Sequence, residues 1–182
     1  MSSQILNTLI KLLLPAITIF VLLFISRKRG IVWSTDLGLQ GTKPNWFLSW
    51  LVIWTTWIAL SEFVLQKLEL QEISRWADYP VFIIIIRILA IGVLGPISEE
   101  ILIRGLVFYK LRQTAIGVVG TIIVTSILWS AMHLQYEIVT LVQIFIDGII
   151  LGAARHHSKS LWTSSAMHIT GNLISIAQSI LL

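Results

Sequence analysis

The sequence contains no cysteine and very few charged residues. Without cysteine, the chain has no disulfide, no thiolate metal ligand and no cysteine nucleophile. Only 12% of its 182 residues are charged, whereas 56% are hydrophobic, and the mean hydropathy is +0.87. A soluble domain typically has about 25% charged residues. This balance excludes an ordinary soluble domain and indicates an integral membrane protein.

The first apolar run, residues 5–25, has no basic stretch in front of it and no small-residue cleavage pattern behind it. A signal peptide has both features, so the run is predicted to be a retained membrane helix. The net charge of +4 does not indicate nucleic-acid binding. Its basic residues lie in short loops beside apolar runs, as topology signals do, so the expected partner is the lipid bilayer.

Length and flanking charge divide the chain into apolar segments. The expected fold is an all-α, polytopic transmembrane helical bundle with about six membrane helices. The segments lie at residues 5–25, 46–66, 80–112, 116–134, 136–154 and 161–181.

The third segment, residues 80–112, is unusually long for one membrane crossing. At the helical rise it would reach roughly 50 Å. It is therefore either one tilted helix or two helices broken at Gly95–Pro96. Pro96 lacks an amide donor and disfavours helical geometry at Gly95, so a kink is expected in either case.

The distribution of Lys and Arg predicts an orientation. One side of the predicted bundle holds only Lys67 and Arg75. Because basic loops stay in the cytoplasm, both termini are expected to be extracytoplasmic and the protein to be a multi-pass protein of the cell membrane. The basic residues on the other side are Arg27, Lys28, Arg29, Lys43, Lys110, Arg112, Arg155 and Lys159.

Two carboxylates and an arginine interrupt the third segment, in the sequence GPISEEILIRG. Glu100 and Arg104 are spaced i, i+4 and can form an ion pair on one helix face. Glu99 points about 100° away and is left free of that pair. A packing role for the whole set accounts for one ion pair but not for the second glutamate.

Two further polar pairs lie in apolar segments at i, i+4 spacing. Trp129 and His133 share a face of the fourth segment, and His168 and Asn172 share a face of the sixth. Counting from the cytoplasmic helix ends places Glu99, His133 and Asn172 about 20, 26 and 17 Å deep. These depths allow the groups to meet inside the bilayer. A lone buried histidine is usually a core residue, but the combined set predicts a catalytic site.

These motifs resemble those of a known family of intramembrane proteases. GPISEEILIRGLVF, at 95–108, looks like the EExxxR motif of the CAAX protease and bacteriocin-processing family, which includes type II CAAX prenyl endopeptidases. WSAMH, at 129–133, resembles its FxxxH motif, with Trp129 in place of phenylalanine. HITGN, at 168–172, matches its HxxxN motif. The resemblance covers residues 80–182.

The resemblance implies a domain organisation and a mechanism. Residues 80–182 would form a catalytic core, whereas residues 1–79 lie outside the resemblance and are predicted from their apolar runs to form N-terminal membrane helices with an interfacial linker. The family's chemistry implies an endopeptidase that cuts a membrane-associated peptide or lipidated protein. The site residues implied are Glu99 and His133 to activate a water, His168 and Asn172 to stabilise the oxyanion, and Glu100, Arg104 and Trp129 in support.

The sequence does not decide whether the site holds a metal. Three site residues are plausible zinc ligands by type: Glu99, His133 and His168. The family that the chain resembles is also often described as a metalloprotease family. The sequence nevertheless has no HExxH motif. The interpretation favoured here is that no metal is obligatory, with a divalent metal such as zinc as the alternative.

Other functional classes fit less well. The chain has no GxSG serine motif and no GxGD aspartate motif. A transporter would show internal pseudo-symmetry, which is not visible. The remaining alternative is a catalytically silent relative that acts as an immunity or scaffold protein in the membrane. Arg87 and Asp147 are further intramembrane charges, predicted either to pair with each other or to contact substrate.

Overall fold

The computed structural model describes residues 2–68, 70, 76 and 79–181, and the regular structure in them is entirely helical. The all-α prediction is therefore confirmed, and the helices fall on the six predicted apolar segments. Most of the predicted interfacial linker, including Arg75, lies outside the described residues. The helices are α1 Ser2–Lys28, α2 Pro44–Lys67, α3 Val81–Leu111, α4 Gly117–Ala131, α5 Ile138–Ser158 and α6 Leu161–Leu181.

Among the described residues, four helices are long and apolar enough to cross a membrane: α1 from Gln4 onward, α2, α3 and α5. Helix α4 is apolar but has only 15 residues. Helix α6 has 21 residues, many of them polar in its first half. The two helices outside this set are therefore α4, which ends just before His133, and α6, which carries His168. The spans support an integral membrane protein.

Helix α3 is continuous, so the first of the two alternatives, a single helix, is confirmed, and no break occurs at Gly95–Pro96. Two π-helical segments, Ile88–Leu94 and Ile101–Val107, flank a short α-helical stretch, Gly95–Glu100. In an α-helix, the proline ring clashes with the carbonyl four residues back. The wider π turn immediately before Pro96 gives the ring room without ending the helix. Such π turns are frequent at functional sites.

The core forms where five helices meet around a buried tryptophan. Trp129 of α4 packs with Trp54 of α2, Ile103 of α3, Leu151 of α5 and Met167 of α6. Helices α4 and α5 approach closely at Gly148, where an added Cβ would lie 2.8 Å from the Ser126 Cβ. Small residues allow such contact between membrane helices. This packing brings the polar side chains in the middle of α3 and in the first half of α6 next to the end of α4.

The predicted pair of Arg87 and Asp147 does not form in the part of the chain that the structure describes. Asp147 instead accepts a hydrogen bond from the Trp57 indole at 2.6 Å. The Arg87 guanidinium lies 4.4 Å from the ring centre of Trp76 and 4.9 Å from that of Tyr79. Asp147 and Arg87 thus have aromatic partners on α2 and before α3, because a tryptophan N–H suits a carboxylate and a ring face suits a guanidinium, although the buried Arg87 Nε has no hydrogen-bond partner among the described residues.

The predicted orientation can be tested with single cysteines, because the chain has none of its own. Ser34 and Gln135 are both exposed, in loops that follow α1 and α4. From the loop charges, we expect a membrane-impermeant maleimide added outside the cell to label Gln135→Cys but not Ser34→Cys. The unsubstituted chain is the control, and the reverse labelling pattern would contradict the orientation.

Candidate active site

The two adjacent glutamates of α3 have different environments. Glu100 is fully buried, and its Oε1 accepts a hydrogen bond from Arg104 Nη1 at 3.0 Å. The Glu99 side chain keeps 25% of its surface exposed. Neighbouring helix positions differ by about 100° in direction, so the carboxylates face different partners. The predicted Glu100–Arg104 pair is confirmed, and Glu99 is the carboxylate outside it.

Arg104 is fully buried, and both terminal nitrogens of its guanidinium have partners, whereas its Nε has no hydrogen-bond partner within the described ranges. Its Nη2 donates to the Gly148 carbonyl at 3.4 Å, and its guanidinium lies 4.3 Å from the Trp129 ring centre. Its own carbonyl accepts a hydrogen bond from Arg155 Nε at 3.2 Å. The arginine thus ties α3 to α4 and α5 and leaves little freedom for chemistry.

Three groups converge on one oxygen of Glu99. The Trp129 indole N–H donates to Glu99 Oε2 at 2.7 Å. His133 Nε2 and His168 Nε2 each lie 4.0 Å from the same oxygen. The structure therefore brings together three of the four predicted catalytic residues, from α3, α6 and the turn after α4. Polar atoms 4.0 Å apart are too distant for a direct hydrogen bond and leave room for a bridging water.

Both histidines turn the same nitrogen towards Glu99. His133 Nδ1 lies 2.8 Å from the Trp129 carbonyl, and His168 Nδ1 lies 3.3 Å from Glu100 Oε1. Each partner is an acceptor, so each Nδ1 is assigned a proton. His133 Nε2 is then the accepting nitrogen of a neutral ring. His168 Nδ1 also lies within ion-pair distance of Glu100 Oε1, and when this ring carries protons on both nitrogens its Nε2–H is a donor.

The aromatic surroundings fix the ring positions. The Trp129 ring meets His133 and His168 edge to face, with centres 5.6 and 5.0 Å apart. Tyr136 stacks on His133 at 6.1 Å. Helix α4 ends at Ala131, so His133 lies in the following turn and not on the predicted helix. Its hydrogen bond to the Trp129 carbonyl nevertheless keeps the two side chains together.

Asn172 points its amide away from this cluster. Its Nδ2 donates to the Ile91 carbonyl at 2.9 Å, in the first π segment of α3. Helix α6 runs antiparallel to α3, because His168 meets Glu100 while Asn172 meets a residue nine positions earlier. The oxyanion role implied for Asn172 stays a prediction.

The bond from Trp129 to Glu99 was missed by sequence reasoning, which assigned the tryptophan only an aromatic face. The available signal was the residue type itself. Tryptophan has an N–H donor that the phenylalanine of the family motif lacks. A buried tryptophan four residues before a site histidine therefore needed an acceptor, and Glu99 was the free candidate.

The metal hypothesis has a geometric requirement. Neighbouring ligands of a tetrahedral zinc lie roughly 3.3 Å apart, from metal–nitrogen distances of about 2.0–2.1 Å. Both histidine nitrogens lie 4.0 Å from Glu99 Oε2, and that oxygen also accepts the Trp129 N–H. Over the described ranges, no group of three His, Cys, Asp or Glu residues is placed to hold a metal ion. As placed, the three side chains do not fit zinc.

Comparison with known proteins identifies one relative and the family of the chain. The chain is 28% identical over 152 residues to an uncharacterized 24.3 kDa protein of Escherichia coli, in an alignment that covers 79% of this chain and 70% of that protein. No solved structure matches the chain. Residues 80–174, just over half of the chain, match the family described as type II CAAX prenyl endopeptidase Rce1-like. This range includes the two glutamates of α3, both site histidines and Asn172. The chain therefore belongs to the Rce1-like family of type II CAAX prenyl endopeptidases.

Proposed function

We propose that this protein is an intramembrane endopeptidase that hydrolyses a peptide bond in a membrane-associated protein or peptide. The observation that carries the proposal is the convergence of His133 Nε2 and His168 Nε2 on the Glu99 carboxylate, which is not paired with Arg104. A carboxylate surrounded by two imidazoles and kept out of an ion pair can accept a proton. A packing role would not require that arrangement.

In the proposed mechanism, a water lies between Glu99 and His133 and donates hydrogen bonds to both. Glu99 takes one proton as the water oxygen attacks the scissile carbonyl carbon. The Nε2–H of His168 stabilises the oxyanion, and Glu100 holds the His168 ring from Nδ1. When the tetrahedral intermediate collapses, the carbon–nitrogen bond breaks, and Glu99 passes the proton to the leaving amine. No step requires a metal.

The substrate class follows from the family and the location of the site. The catalytic groups lie on α3, on α6 and next to α4, among apolar helices, so the scissile bond must reach them from the membrane. We propose a CAAX-type lipidated protein or a bacteriocin-like peptide as substrate. Apolar lipid or peptide segments would bring either of them to the bilayer.

Comparative proteomics tests this function. Membranes from cells with the unsubstituted chain and with Glu99→Ala are compared for a peptide or protein that accumulates uncut with the variant. A prenylated or an unprenylated terminus on that species identifies the substrate type. If no species differs and the variant keeps the full biological effect, the chain is a non-enzymatic immunity or scaffold protein.

The absence of a metal requirement is a separate prediction. We expect the purified protein to contain no stoichiometric zinc by mass spectrometry of metals, and to keep its cleavage activity with a chelator. The reason is that Glu99 and the two histidines are too widely spaced for zinc. Loss of both zinc and activity on chelation, with recovery of both when zinc is added, would replace this mechanism with a metal-dependent one.

A further inference from the structure

The first π segment of α3 ends at Leu94, two residues before Pro96, and this proline deprives one carbonyl of the segment of a helical donor. In a π-helix, each N–H bonds to the carbonyl five residues back, as Gly95 N–H does to Ala90. The next nitrogen in this pattern belongs to Pro96, which has no hydrogen. The acceptor it would have served is the Ile91 carbonyl.

Asn172 supplies a donor at this position. Its Nδ2 lies 2.9 Å from the Ile91 carbonyl oxygen, across the interface between α6 and α3. Inside a bilayer, no water is available to satisfy a free carbonyl, so an interhelical side chain must do so. The contact links the proline of the GPISEE stretch to the asparagine of HITGN through one shared acceptor.

We propose that Asn172 is a positioning residue that replaces the missing amide of Pro96 and thereby maintains the π segment Ile88–Leu94. Weakening the hydrogen bonds of this π turn would shift the start of the following helical stretch, which carries Glu99. Glu99 lies only five residues after this segment. A correct π turn therefore aims Glu99 at His133 and His168. This last step rests on the proposed function, whereas the hydrogen-bond replacement does not.

This role differs from that of an oxyanion donor, which the resemblance implies. An amide nitrogen bound to Ile91 has to leave that carbonyl before it can reach a substrate. The two roles make opposite predictions when residue 96 regains an N–H. If Asn172 replaces a missing amide, Pro96→Ala makes it dispensable. If Asn172 acts on the substrate, Pro96→Ala changes nothing.

A double-mutant cycle in thermal stability tests the replacement without any substrate. Asn172→Leu keeps a similar shape but removes the donor. We expect it to lower the melting temperature of the detergent-purified protein by about 2–4 °C, as for one unsatisfied buried group in a chain of this size. In a Pro96→Ala background, the same substitution should have little effect. Equal losses in the two backgrounds would overturn the proposal.

Turnover of the substrate identified by proteomics provides the second readout. A misplacement of about 1 Å in a catalytic group costs on the order of 10²-fold, so Asn172→Leu should lower kcat by about that factor and leave KM nearly unchanged. Pro96→Ala alone should stay close to the unsubstituted protein. The double variant should recover most of the loss, and an unrescued double variant would assign Asn172 to the substrate instead.

The design separates this inference from the proposed function. If Pro96→Ala lowers the folded yield, Pro96→Ser supplies the same N–H and replaces it in the cycle. If the stability cycle shows coupling between Pro96 and Asn172, the hydrogen-bond replacement is supported. If Glu99→Ala still cleaves the substrate, the protease mechanism is refuted, whatever the stability cycle shows. A cycle without coupling refutes the replacement whether or not the protein is a protease.

Discussion

Glu99→Ala and Glu99→Gln should abolish peptide cleavage and leave a folded, membrane-inserted protein. Glu99 is the carboxylate outside the Arg104 ion pair, with its Oε2 4.0 Å from both histidine nitrogens. A general base contributes typically 10²–10⁴-fold to a rate, so cleavage should fall by at least about that factor. Folding should be retained, because the substitution leaves no charge unpaired and removes only the acceptor of the Trp129 N–H.

The measurement is cleavage of the identified substrate by purified protein, together with size-exclusion chromatography to show that the variant is folded. Glu137→Gln is the matched control, because Glu137 is exposed in the loop before α5 and lies outside the site. The Glu137→Gln variant should cleave the substrate at the same rate as the unsubstituted protein. Undiminished cleavage by Glu99→Gln would remove Glu99 from the mechanism.

The fold could be predicted because its determinants are local. Apolar runs of membrane length set the helices, and each run is a property of consecutive residues. The Glu100–Arg104 pair was also predictable, since i, i+4 positions share a face in any helix. From that pair, it followed which glutamate was free for chemistry. The grouping of Glu99 with His133 and His168 was predicted from depth and from the family motifs.

The features that could not be predicted depend on contacts between helices. The π segments of α3 arise where Pro96 and the neighbouring helices jointly set the backbone hydrogen bonds, and periodicity does not reveal this. The direction of the Asn172 amide depends on a carbonyl that the π turn exposes. The partners of Arg87 and Asp147 were wrongly predicted, because the pairing rule considered opposite charges and overlooked tryptophan.

Glu100→Ala should have the largest effect on stability. Glu100 and Arg104 are both completely buried, and Glu100 Oε1 contacts Arg104 at 3.0 Å and His168 at 3.3 Å. Removing one member of a buried pair costs roughly 3–5 kcal/mol, because the remaining charge loses its partner. Since total stability is only about 5–15 kcal/mol, this loss is a large fraction of it. The expected result is a low yield of monodisperse protein and a lower melting temperature.

Glu99→Ala is the matched control for this substitution, because it removes the adjacent carboxylate from the same helical turn. We expect Glu99→Ala to melt only about 2–4 °C below the unsubstituted protein, because the Trp129 N–H loses its acceptor, and Glu100→Ala to melt well below that. The double variant Glu100→Met, Arg104→Met should be more stable than Glu100→Ala, since apolar side chains of similar volume leave no unpaired charge. If Glu100→Ala were as stable as Glu99→Ala, the ion pair would not be structural, and Glu100 would have to be considered for the proton transfer now assigned to its neighbour.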